Sequence, residues 1–383
     1  MSAPKRPIRT RKASSETVPE SAEAVRDARD RSEEVLSSPP GRAGADSEGL
    51  TTEPTTPTDA ETIRRVGERA TGDDIEQTER FGADRPDRTA RPLIGEDGDS
   101  DLPVQARRDR RWTDQPVVTL ASGAVMPRLG LGTWQLSPAD AELAVRAGLD
   151  VGFRHIDTAQ MYGNEAAVGA ALDTSDVERD DVFITTKVAN DRHAPGALVA
   201  GVHDSLDALG TDHVDLLLVH WPVDFDQAAA TADVMAQVQA SGLAAHIGLS
   251  NFTVDQLSVV AGFAPFEVLQ AERHPFFPQP ELVAWCRTHG WAFTAYSPLA
   301  QGRVFDDETI AAIAADHGVT PAAVAIAWQL RDDGVAVIPR SSVADHLRDN
   351  WTAQTLELTD RDLGALATVR TDERLVDPDF APW

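Results

Sequence analysis

The sequence predicts an α/β fold, a closed (β/α)8 TIM-type barrel with an N-terminal hairpin, preceded by a long disordered tail. Three observations carry this reading. From Pro116 onward, short apolar strands alternate with helical segments in eight successive pairs. Strict alternation implies a parallel sheet, and eight pairs in roughly 250 residues suit a closed barrel. An open doubly wound sheet is the competing architecture. Its phosphate loop needs a third glycine after the first strand, which Leu129-Gly130-Leu131-Gly132-Thr133-Trp134 lacks.

Residues 1–113 are rich in Pro, Ser, Thr, Arg, Asp and Glu and poor in large apolar residues. Such a segment buries too little surface to offset its ordering entropy, so it is expected to be disordered. Residues 114–383 are expected to form the barrel. Val117–Leu120 and Ala124–Met126 flank Ala121-Ser122-Gly123, a hairpin signal. Arg128–Thr133 then reads as the first barrel strand. Ser137-Pro138-Ala139-Asp140 opens a helix with a serine cap, proline in the first turn and an acid three after the cap. Phe153–Asp157, Val182–Lys187 and Val214–His220 read as strands, separated by helices over Asn164–Leu172 and Pro195–Leu209. Val214–His220 is apolar almost throughout, as expected of a strand buried on both faces. Helix Ala230–Ala240, strand Ala245–Ser250, helix Val254–Gly262, strand Val268–Ala271, helix Glu281–His289 and strand Ala292–Ser297 follow. A helix capped by Thr320-Pro321 and running to Leu330, strand Val335–Pro339 and helix Val343–Trp351 complete the series.

Charge narrows the function. The chain of 383 residues has a formal net charge of −27. Residues 1–113 carry 20 basic and 24 acidic side chains, so the rest carries 15 and 38. A surface this acidic opposes nucleic acid and favours a self-repelling monomer. Its repulsion is screened at high salt, where the Debye length is about 3 Å at 1 M; we therefore expect a salt-adapted protein. No apolar run approaches the ~18 residues of a membrane span, and no secretory leader is evident. The single cysteine, Cys286, forms no internal disulfide and lies in an apolar helical stretch, as a buried thiol would. A cytoplasmic location is expected.

Lysine is nearly absent. After Lys5 and Lys12 the only one is Lys187, and the only tyrosines are Tyr162 and Tyr296. In a barrel the active site lies at the C-terminal strand ends, where the reading order gives Asp157, Tyr162, Lys187 and His220. Each alone has an ordinary explanation as a helix cap, a packing ring or a core histidine. Together they make a general acid: a phenol beside an ammonium, an aspartate that holds the ammonium, and a histidine that orients a carbonyl. Protonating a carbonyl oxygen suits hydride addition, and hydride must come from a cofactor. No metal-ligand spacing and no nucleophile–base pair point to a hydrolase.

Asp157-Thr158-Ala159-Gln160-Met161-Tyr162-Gly163-Asn164-Glu165 resembles the signature of the aldo-keto reductases. So do Asp215-Leu216-Leu217-Leu218-Val219-His220-Trp221-Pro222, Gln270-Ala271-Glu272-Arg273-His274-Pro275 and Val337-Ile338-Pro339-Arg340-Ser341, in the family's order. The resemblance, closest to short-loop microbial members, covers about residues 117–370. It implies that Asp157, Tyr162, Lys187 and His220 are the catalytic tetrad, with Tyr162 as proton donor. It implies that Tyr296 stacks on a nicotinamide and that Ser250, Asn251 and Gln270 hold its carboxamide. Gly132, Thr133, Ser297 and Leu299 would line the cofactor, and Trp134 and Trp221 the substrate pocket. Pro339, Arg340, Ser341, His346 and Asn350 would face the adenosine end. Arg340 and His346 stand where the family usually has lysine and arginine, so one fixed charge is lost; NADPH is expected, with NADH an alternative. Ala189 replaces a frequent aromatic. The expected function is NAD(P)H-dependent reduction of small aldehydes, ketones or keto-sugars; a nucleotide-sensing protein without turnover is the alternative.

Overall fold

The structure is a computed structural model and describes Trp112 and residues 115–383. The expected tail lies outside the described residues apart from Trp112. That residue is buried, stacks edge-on against Phe183 at 5.8 Å and donates its indole N–H to the Asp181 carbonyl.

Strands β1 (Val117–Thr119) and β2 (Val125–Pro127) form the antiparallel hairpin. The barrel strands are β3 (Leu131–Gly132), β4 (His155–Asp157), β5 (Phe183–Val188), β6 (Val214–Val219), β7 (Ala244–Ser250), β8 (Val268–Glu272), β9 (Ala292–Tyr296) and β10 (Val335–Val337). They pair in parallel in that order. A parallel bridge from Leu129 to Val337 closes the ring, with Gly130 N–H donating to the Val337 carbonyl at 2.9 Å and Val337 N–H to the Arg128 carbonyl at 2.7 Å. The first strand is therefore shorter than Arg128–Thr133, although its backbone is paired along that length.

The two glycines there serve packing. A Cβ at Gly130 would lie 2.8 Å from the His155 ring, and one at Gly132 would lie 2.9 Å from the Ile338 carbonyl oxygen. Closing the barrel brings these backbones too near for a side chain.

Helices α1 (Pro138–Val151), α2 (Glu165–Asp173), α3 (Pro195–Leu209), α4 (Ala228–Ala240), α5 (Val254–Val260), α6 (Pro280–His289), α7 (Glu308–His317), α8 (Pro321–Leu330), α9 (Ala344–Thr352) and α10 (Asp360–Leu366) surround the strands. Ser137 caps α1 as expected, accepting from Asp140 N–H, and Gly210 and Gly290 end α3 and α6 in the left-handed conformation. The C-terminal α10 was not expected; it packs on α7, where His317 meets Asp362 at 2.9 Å. None of the described helices is by itself long and apolar enough to cross a membrane.

Alternation along β6 shows how two cores form. Leu217 and Val219 join the layer between strands and helices, while Leu216 and Leu218 point into the barrel. The inner cluster also holds Phe183, Val268 and Ala292 at the N-terminal ends of their strands, together with Val118, Leu120, Ala124 and Met126 of the hairpin. The hairpin thus seals the end opposite the C-terminal strand ends.

Candidate active site

Asp157 ends β4, Tyr162 closes a 3-10 turn over Gln160–Tyr162, Lys187 lies in β5, and His220 follows β6. The turn is stitched down by Gln160, whose side chain donates to the Gly201 carbonyl and accepts from Ala189 N–H at 2.8 Å. These contacts aim Tyr162 at the barrel axis. Lys187 Nζ donates to Asp157 Oδ1 at 2.5 Å, to the Thr158 carbonyl at 2.9 Å and to the Tyr162 hydroxyl at 3.0 Å. Gln270 Nε2 donates to the other aspartate oxygen at 2.7 Å. The His220 ring meets the Tyr162 ring edge-on at 5.6 Å. The four expected catalytic residues are thereby brought together.

Burial acts on each charge. Lys187 is fully buried, which alone would lower its pKa; Asp157 and the Tyr162 oxygen outweigh that and raise it. For Tyr162 the balance runs opposite to simple expectation. Burial pushes the phenol up and the Lys187 ammonium only partly counters it. His220 is held well below the usual histidine range, first by burial and then by Lys187 and His193, so it is neutral near pH 7. Burial raises the Cys286 thiol, which fits a packing role.

The residues expected around a nicotinamide form one network. Tyr296 donates its hydroxyl proton to Asn251 Oδ1 at 2.8 Å, and Asn251 Nδ2 donates to the His220 carbonyl at 3.0 Å and to Ser250 Oγ at 3.1 Å. Asn251 and Ser297 adopt φ of 67° and 47° at the ends of β7 and β9; left-handed backbone at non-glycine residues is strain of the kind kept at functional sites. Thr133 donates to the Asp157 carbonyl, and Leu299 is half-buried nearby in sequence to Ser297. Gly132 N–H donates to the Pro339 carbonyl at 3.1 Å. Beyond it Arg340 is exposed and makes no ion pair among the described residues. Ser341 accepts from Val343 N–H ahead of α9, which carries exposed His346 and buried Asn350. Arg348, a candidate replacement for the lost charge, is paired with Asp345.

Comparison with known proteins settles the family. The aldo/keto reductase family profile matches residues 128–370. The chain is 41% identical over 270 residues to the methylglyoxal reductase DkgA of Yersinia pestis, covering 69% of this chain and 96% of that protein. This chain belongs to the aldo/keto reductase family. It is 39% identical over 259 residues to the methylglyoxal reductase DkgB of Escherichia coli, covering 66% of this chain and 97% of that one. Among solved structures it resembles a crystal structure described as a putative 2,5-diketo-D-gluconic acid reductase B, with a TM-score of 0.68 and 36% identity over 70% of this chain and 96% of that one. The protein is thus an oxidoreductase of a family that generally uses nicotinamide nucleotides and reduces carbonyls.

Several residues of this aldo-keto reductase escaped the sequence reading. Asn164 is buried, donates to the Thr133 and Leu136 carbonyls at 2.9 and 3.1 Å, and accepts from the Thr158 hydroxyl, fixing the loops on both sides of Asp157. Glu272, fully buried at the end of β8, accepts from Leu375 N–H at 2.9 Å and Val376 N–H at 3.0 Å. A lone acid in an apolar strand was the available signal. These bonds return the C-terminal segment over the barrel mouth, where Phe380 and Trp383 pack on Trp221 at 5.4 and 5.5 Å. Trp221 is accordingly 5% exposed while Trp134 is 37% exposed. The returning segment gives the site a wall.

Proposed function

We propose that this aldo-keto reductase uses NADPH to reduce small aldehydes and ketones, keto-sugars among them, with Tyr162 as the proton donor. The observation that carries the reading is the valence of Lys187. An ammonium has three protons, and here each has an acceptor: Asp157, Thr158 and Tyr162. The phenol oxygen therefore receives a bond from Lys187, and its own proton is free to point toward the mouth. When a carbonyl oxygen takes that proton, the ammonium stabilises the phenolate left behind. Neutral His220 has one N–H. Its Nδ1 has no hydrogen-bond partner among the described residues, which favours the tautomer with the proton on Nε2, available to orient the carbonyl. A bound reduced nicotinamide supplies the hydride.

The residues present fit that cofactor. Tyr296 offers a half-buried ring at the strand ends, hydrogen-bonded to the Asn251 amide, and the Gln270 amide is held on Asp157. Arg340, exposed and without an ion pair among the described residues, is the cation for a 2′-phosphate. The names of the relatives make methylglyoxal the first substrate to assay.

One experiment addresses both parts: steady-state reduction by the native enzyme and by Tyr162→Phe, with NADPH and with NADH. Loss of about 10²- to 10⁴-fold in kcat with nucleotide binding retained is expected, and NADPH should be preferred. An unimpaired variant refutes the proton donor; a preference for NADH refutes the cofactor assignment.

A further inference from the structure

Glu165 is a buried acid that the proton transfer does not use. It opens α2, three residues after Tyr162, and is only 8% exposed. Side chains alternate along β5. Phe183 and Lys187 point into the barrel, while Ile184 and Val188 join the layer between strands and helices. Thr186 shares that outward face, and its hydroxyl donates to Glu165 Oε1 at 2.5 Å. A carboxyl in this layer loses its hydration. Burial pushes its pKa up, and Thr186, Ser205 and the charges of Lys187 and Arg192 counter the rise only in part. An apolar side chain would fill the same space at less cost, so the acid is not explained by packing.

The polar cluster reaches both reacting groups. Through Thr186, Glu165 holds the strand at the residue before Lys187. Ser205, buried on α3, meets the same carboxyl and accepts from Gln160 Nε2 at 3.1 Å. Gln160 opens the turn that ends at Tyr162, and its bonds to the Gly201 carbonyl and the Ala189 N–H hold that turn down. There is no slack at Gly201, where a Cβ would lie 2.9 Å from Arg192 Cδ and 3.1 Å from Gln160 Nε2.

We propose that Glu165 is a positioning residue for proton transfer. It joins β5 at Thr186 to the Tyr162 turn through Ser205 and Gln160, and so fixes the contact between the Lys187 ammonium and the phenol. It acts through these neighbours and touches none of the reacting atoms. The proposal deepens the carbonyl-reductase reading and rests on it. The contact it protects is 3.0 Å long, and a hydrogen bond weakens steeply once its distance or angle slips. A shift of about 1 Å can cost about 10²-fold in rate.

The test uses native enzyme, Glu165→Gln, Glu165→Leu and Ser205→Ala, with NADPH and methylglyoxal. NADPH-binding sites are counted by fluorescence titration, and kcat is expressed per site. Glutamine keeps an acceptor oxygen for Thr186; leucine keeps the bulk and offers none. Glu165→Leu should lower kcat per site about 10- to 100-fold with NADPH affinity retained, and Glu165→Gln should keep most of the native rate. Ser205→Ala, which cuts the link to Gln160 alone, should lose part of it. A role in stability alone would reduce the number of sites and leave the rate per site native. That outcome, or equal losses in the glutamine and leucine variants, overturns the positioning role and leaves the reductase reading standing. Should leucine prevent folding, Ser205→Ala decides, a native rate per site overturning the proposal. Absence of carbonyl reduction in the native enzyme overturns both.

Discussion

Lys187 connects the polar residues of the site, because its three donors bind Asp157, the backbone after it and the reacting phenol at once. A buried pair of this kind is poor evidence of net stability, yet removing one partner leaves the other charge stranded at a cost of about 3–5 kcal/mol. The pH dependence follows from the same burial. Lys187 and Tyr162 have folded pKa values above their ordinary ones. The folded state holds those protons more tightly, so their contribution is complete below about 10 and is lost as the pH climbs through the folded values. His220, with His155 and His193, is displaced downward, burial being the first cause in each. The unfolded chain then binds more protons in acid, so stability falls as the pH drops below about 6.5. Melting temperature measured from pH 5 to 11 should show a plateau with both limbs, and His220→Leu should flatten part of the acid limb. A flat acid side in the native protein would contradict the burial of these histidines as neutral groups.

Among the elements, the hairpin and the C-terminal segment act at opposite ends of the barrel. The β1–β2 hairpin closes the floor with Met126, which is completely buried in the inner cluster. Met126→Ala should destabilise the protein by about 2–5 kcal/mol in denaturant unfolding, as large-to-small core changes do. It should leave kcat/KM unchanged at temperatures where the variant is folded. A loss of kcat/KM equal to the loss in a Tyr162 variant would show that the floor and the mouth are coupled. At the mouth, the segment after Glu373 has little core of its own and depends on the buried carboxylate of Glu272, so the two ends answer to different physical terms: apolar packing below, a charge-assisted clamp above.

For the molecule as a whole, charge is the dominant fact. Residues 114–383 hold 38 acidic and 15 basic side chains, and among the described residues Arg179, Arg192, Arg273, Arg303, Arg331, Arg348 and Arg370 are already in ion pairs. Dilute buffer lengthens the reach of the remaining repulsion from about 3 Å at 1 M salt to about 30 Å at 0.01 M. We propose adaptation to high salt, and expect dialysis from molar salt to about 10 mM to lower both the melting temperature and the reductase rate. Unchanged circular dichroism and full activity at the low concentration would refute that adaptation.

The strand–helix alternation, the hairpin, the barrel closure and the order Asp157, Tyr162, Lys187, His220 along the strand ends were legible in the sequence. Each depends on local periodicity or on a residue type too rare to be incidental. Three things were decided by tertiary structure. Asn164 and Glu272 find their partners across long loops, the latter about a hundred residues away, and no local pattern encodes such a pairing. The C-terminal segment has no regular period, so its return over Trp221 follows only from where the barrel rim puts Glu272. The direction of the Tyr162 pKa was also hidden: the sequence supplies the ammonium that pulls it down, while the burial that pushes it up exists only once the barrel has closed around the ring.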